Sequence, residues 1–152
     1  MVPTSSMAPS RRSGQAENSL SEELDHNGSF SMQIINVCGL KGKLDIPEFK
    51  NNLRLFDISL LCETKLDKMD ENYIIDIITP LRLKAFFKHR KTLSTWRSGG
   101  LCILYKEHME KYIKHINSNC KLVQWLLISK LLIGTDKDVL VGSFSWKYLC
   151  TT

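Results

Sequence analysis

Two residues in this chain stand where side-chain oxygens could do chemistry. Asn36 closes the apolar run Met32-Gln33-Ile34-Ile35-Asn36, and Glu63 follows the run Ile58-Ser59-Leu60-Leu61-Cys62. If both runs are strands of one sheet, an amide oxygen and a carboxylate meet at one sheet edge. Hard oxygen donors of that type suit Mg²⁺. An ionised Glu buried within such a run and without a partner would be costly, so its place at a strand end matters. A carboxylate at a strand end is also commonly just solvated, and the pair alone does not decide between the two.

The elements that must position these residues follow from periodicity. Residues 31–37 read as a buried strand ended by Gly39. Pro47 suits a first helical turn with Asp45 as its N-cap, and Ile46, Phe49, Leu53 and Phe56 recur at helical spacing. Residues 57–62 form the second apolar strand. A strand–helix–strand order of this kind predicts parallel pairing with a right-handed crossover. Residues 64–71 are polar and read as a loop, and Tyr73 to Ile78, stopped by Pro80, reads as a short helix or strand. Leu83 to Lys88 and Leu101 to Tyr105 are predicted strands separated by a basic loop. Residues 112–116 fit strand or helix. Gln124 to Leu132 and Val139 to Phe144 are expected as strands joined by a turn at Gly134-Thr135-Asp136. Antiparallel hairpins thus follow one βαβ unit, and no internal repeat is visible.

The 152 residues are enough for one domain plus extra sequence. Residues 1–29 are Ser-rich and lack an apolar run, which predicts a disordered tail. The tail holds Arg11 and Arg12 against Glu17, Glu22, Glu23 and Asp25, a net of −2, so the +7 balance belongs to the remainder. The formal charge of +5 is compatible with a polyanionic partner without identifying one. Five cysteines (Cys38, Cys62, Cys102, Cys120, Cys150) form no C-x-x-C pair, which argues against a zinc or redox motif. Cys38, Cys62 and Cys102 lie in or beside apolar runs and read as small hydrophobes in a reducing compartment, nucleus or cytoplasm. No secretory signal or membrane-spanning run is evident. Trp125 and Trp146 read as packing residues. His26, His108 and His115 show no ligand spacing.

Three ordered segments carry a resemblance. Ile35-Asn36-Val37-Cys38-Gly39-Leu40, Ile58-Ser59-Leu60-Leu61-Cys62-Glu63-Thr64 and Ser98-Gly99-Gly100-Leu101-Cys102-Ile103 resemble the endonuclease/exonuclease/phosphatase superfamily. Within it they are most similar to the apurinic-type endonuclease domain of non-LTR retrotransposons, over roughly residues 31–144. The resemblance implies the N-terminal part of a four-layered α/β sandwich, with two mixed sheets face to face and helices outside. It places a partial domain at residues 30–146 and an irregular C-terminus at 147–152. It also implies phosphodiester cleavage with Mg²⁺ or Mn²⁺, with Asn36 and Glu63 as catalytic residues. Glu63 and Asn36 would ligate the metal, and Asn36 would also orient a catalytic group or a phosphate. DNA is the implied partner, and the basic residues His89, Arg90 and Arg97 are the candidate backbone contacts.

The chain departs from that family after residue 144. Tyr148 is not followed by Pro two residues on, no G-D-x-N occurs, and Asp-His occurs only as Asp25-His26 in the tail. Those motifs would activate water and stabilise the transition state. The expectation is a truncated endonuclease-like domain with little or no activity. The alternatives are a non-enzymatic nucleic-acid-binding module and a protein-interaction module.

Overall fold

A computed structural model of the chain describes residues 30–89, 99–120 and 122–145. The expected tail at 1–29, most of the basic loop, and the C-terminal segment from Trp146 lie outside the described residues. Strand β1 (Met32–Asn36) leads into helices α1 (Leu40–Leu44) and α2 (Pro47–Leu55) and then strand β2 (Ile58–Cys62). Helix α3 (Glu71–Ile78) precedes β3 (Leu83–Lys88), and β4 (Leu101–Lys106) follows. A 3-10 segment at Glu107–Tyr112 leads to β5 (Ile113–Ile116), β6 (Val123–Ile128), the short helix α4 (Lys130–Ile133) and β7 (Val139–Phe144). No helix among the described residues is long and apolar enough to cross a membrane.

The first sheet has the order β1-β2-β4-β3. β1 and β2 are parallel, with Met32 opposite Ile58 and Asn36 opposite Cys62. β4 pairs antiparallel with β2 and with β3. The second sheet, β5-β6-β7, is wholly antiparallel. Helix residues Leu40, Leu44, Leu53, Ile74 and Ile78 pack with Leu61, Cys102 and Leu104 on one face of the first sheet. Ile58, Leu60, Ile103 and Tyr105 on the other face pack with Leu126 and Ile128 of the second sheet. The described residues thus stack as a helical layer, a mixed sheet and an antiparallel sheet. This is the α/β, two-sheet architecture expected from the sequence. β2 is buried along all five residues because it is covered on both faces, which is why it reads as a continuous apolar run.

Several local expectations need correction. The N-cap of α2 is Ile46, not Asp45; Asp45 instead ends α1, a helix not foreseen. Its signal was the Leu40/Leu44 pair, both buried at i,i+4 spacing, with Gly42 between them weakening the helical pattern. Phe56 caps the end of α2, outside its periodicity. The expected strand to Leu132 stops at Ile128, where Ser129 caps α4 by accepting from the Leu131 N–H at 3.2 Å. Gly134 closes that helix at φ 71°. Cys38 is exposed at φ 50°, not packed as a small hydrophobe, because it sits in the turn beyond β1.

Candidate metal centre at the end of the first sheet

The three segments singled out in the sequence meet at one point through main-chain hydrogen bonds. The Gly39 N–H donates to the Glu63 carbonyl at 2.8 Å, and the Leu40 N–H to the Thr64 carbonyl at 2.9 Å. On the other side, the Thr64 N–H donates to the Gly100 carbonyl at 3.2 Å and the Lys65 N–H to the Gly99 carbonyl at 2.9 Å. The parallel β1–β2 register explains the first contact, since it brings both strand ends out together. The antiparallel β2–β4 register explains the second, since it brings the start of β4 alongside.

The turns that leave these strands are conformationally unusual. Cys38, Glu63 and Lys65 all have positive φ, as do Gly39, Gly99 and Gly100. For a residue with a side chain that conformation costs about 1–2 kcal/mol. Three such residues at one sheet edge are held there by the hydrogen bonds just described. Gly39, at φ 107°, occupies a conformation that side-chain-bearing residues rarely adopt.

Glu63 is 7% exposed, and both carboxylate oxygens are engaged. The Gly99 N–H donates to Oε2 at 2.8 Å, and the Ser145 hydroxyl to Oε1 at 3.0 Å. Ser145, just beyond β7, ties the second sheet to the end of the first. Sequence reasoning missed it. Cys62 sits beside this carboxylate. Burial pushes its thiol pKa up, and the Glu63 charge adds to that.

The other expected site residues fare differently. Asn36 ends β1 on the strand neighbouring β2, but its Oδ1 accepts from the Cys38 N–H at 3.2 Å, and no hydrogen bond joins it to Glu63. His89 lies 3.0 Å from Glu71 Oε2 and stacks on Phe87 at 5.7 Å, so its ring has intramolecular partners. Arg90 and Arg97 lie outside the described residues. Trp125 packs edge-on against Phe144 at 5.7 Å, in keeping with a packing role.

A divalent cation can be tested against this donor set. Among the described residues, no three His, Cys, Asp or Glu side chains are grouped as a metal cage. Mg²⁺ does not need one, since it is commonly held by one or two carboxylates together with water and phosphate oxygens. Each Glu63 oxygen accepts one hydrogen bond and keeps further lone-pair capacity. Thr64 Oγ1, next in the chain and 1% exposed, has no protein partner. The spare lone pairs of Glu63 and the unpartnered Thr64 hydroxyl are compatible with an open Mg²⁺ or Mn²⁺ site, while the Asn36 amide oxygen is already engaged by the Cys38 N–H. These donors do not fit a closed structural one.

Comparisons with known proteins are sparse. No family model matches the chain, and no curated protein matches it. Among solved structures, the human Nocturnin catalytic domain with bound sulfate is similar to it at a TM-score of 0.41 and 15% identity. That likeness covers 72% of this chain and 47% of the other, so the chain spans about half of that domain.

Proposed function

We propose that this chain is the metal-ligand half of a Mg²⁺-dependent phosphodiesterase-type domain of retrotransposon origin, and that alone it turns over little or no substrate. The observation that carries the reading is that the main chains of Gly39-Leu40, Glu63-Thr64-Lys65 and Gly99-Gly100 meet at the end of β2, where the buried Glu63 carboxylate accepts from the Gly99 N–H. Chemistry at a phosphodiester needs a hard cation against the developing charge, and such a cation also lowers the pKa of bound water. In this reading Glu63 holds the cation, with its two oxygens oriented by Gly99 and Ser145. Asn36, exposed at the neighbouring strand end, meets a phosphate oxygen or the metal. The 152 residues contain no G-D-x-N and no Asp-His beyond β1, the motifs that supply the general base in the resembled superfamily. DNA is the proposed polyanionic partner.

The test is thermal unfolding of the purified chain with and without Mg²⁺ or Mn²⁺. Binding of the native state at 100 times Kd stabilises by about 2.7 kcal/mol, so Tm should rise with metal. Glu63→Gln, which keeps the shape and one oxygen to accept from the Gly99 N–H while its NH2 can donate to the Ser145 hydroxyl, should abolish that rise. A metal-dependent rise that survives Glu63→Gln, or no rise in the folded parent, overturns the reading and leaves Glu63 as a clamp between the sheets. Efficient nicking of plasmid DNA by the parent but not by Glu63→Gln would keep the site and overturn the lack of turnover.

A further inference from the structure

The opposite end of the first sheet carries a second polar feature. A cleft of about 430 Å³ is lined by Arg54, Leu81, Arg82, Lys106, Glu107 and His108. Asp57 precedes β2 and Glu63 follows it, so these two carboxylates lie roughly 20 Å apart at about 3.3 Å per strand residue. The cleft is therefore separate from the candidate metal centre.

Three lining residues are cations and one is a carboxylate. Lys106 is fixed from behind: its Nζ lies 3.3 Å from Asp57 Oδ1. That carboxylate is itself anchored by the Ser31 N–H at 2.8 Å and hydroxyl at 3.1 Å. His108 Nε2 lies 3.9 Å from the same Asp57 oxygen. Arg54 and Arg82 are exposed, and neither forms an ion pair among the described residues. Arg82 also has φ 59°, the left-handed conformation that Gly or Asn adopts more readily. It is the one non-glycine residue in that region, among those described, that lies away from the Glu63 turns. That conformation closes the 3-10 turn Thr79–Leu81, whose Thr79 carbonyl accepts from the Arg82 N–H at 3.0 Å, and it leaves the Arg82 side chain on the wall of the cationic cleft.

We propose that this cleft binds a diphosphate group, either free or as part of a nucleotide. Two guanidinium forks match phosphate oxygens in bidentate geometry, and an ammonium held in place adds a point charge. The volume falls within the range of small-molecule pockets and exceeds the need of a single phosphate. Glu107, on the same wall, opposes the anion.

The probe is inorganic pyrophosphate, titrated to about 10 mM against the isotope-labelled full chain, with amide shifts as the readout. Saturable shifts are expected at Arg54, Arg82 and Lys106. Arg54→Gln and Arg82→Gly should each weaken binding about tenfold, as loss of one charge-assisted hydrogen bond implies. Glu107→Gln should tighten it, and Glu63→Gln should leave it unchanged. Arg82→Gly relieves the backbone while removing the charge, so its Tm should hold or rise as affinity falls. A purely structural Arg82 would not give that split. Tighter binding of ADP than of pyrophosphate identifies a nucleotide as the ligand, and equal affinity identifies the free anion. No saturable binding by 10 mM, or binding unaltered in both arginine variants, overturns the proposal.

Discussion

At the scale of single residues, one kind of polar group is buried and held by partners, and another is half-buried with its ionisation suppressed. Glu63 belongs to the first kind, since a backbone N–H and a hydroxyl accept the role that water would otherwise fill. His115 belongs to the second. Its ring stacks on Phe86 at 4.7 Å and lies 3.3 Å from Gln124 Nε2. Burial lowers its pKa below the usual 6.5, and the nearby Lys88 charge lowers it further, while Asn117 pulls weakly the other way. The unfolded chain therefore binds a proton more readily than the folded one between those two pKa values. The stability from the neutral ring is fully present above about pH 6.5 and is lost as pH falls toward the folded value. Tm should drop between about pH 7 and 5, and His115→Phe, which keeps the stack on Phe86, should flatten that part of the profile. An unchanged slope in the variant would assign the acid sensitivity to another group.

At the scale of elements, the second sheet has a close-packed spot where Trp125 of β6 lies across Gly142 of β7, its register partner. A Cβ at Gly142 would sit 2.5 Å from Trp125 Cζ3 and 2.7 Å from Cε3. The methyl group of Gly142→Ala must displace the indole, which also gives up its edge contact with Phe144. Overpacking of this kind costs about 1–3 kcal/mol. Denaturant unfolding should show that loss, and the same substitution in a Trp125→Ala background should show little of it, a coupling only contacting residues produce. This contact also marks a limit on what the sequence conveys. The strands β2 and β4 were legible because burial on both faces leaves long apolar runs, whereas β1, expected as a buried strand, is an edge strand whose Ile34 is 65% exposed. The short helices were not legible: α1 has a glycine at its centre, and α4 offers only a Ser129 cap and Gly134 stop around four residues. Glu63 was legible as a strand-end carboxylate, but its partner Ser145, 82 positions away, was not. That pairing depends on how the two sheets pack, which no local pattern encodes.

At the scale of the whole molecule, β2 is the member that both cores share. Leu61 points into the cluster beneath the helices, and its neighbour Leu60 into the cluster between the sheets. Alternation along one strand thus couples the helical layer to the antiparallel sheet, because neither cluster can lose β2 without exposing the other. The Glu63–Ser145 hydrogen bond closes the same two bodies at the strand's end. A Leu61→Ala substitution removes volume from a fully buried position and should cost about 2–5 kcal/mol. Against a total of about 5–15 kcal/mol for a protein of this kind, that loss brings global opening within reach of hydrogen exchange. If β2 couples the cores, amides of α2 and of β6 should lose protection together, although Leu61 touches only the helical cluster. Protection lost in α2 alone, with β6 unchanged, would mean that the two layers open separately and that the second sheet is stable without the first core.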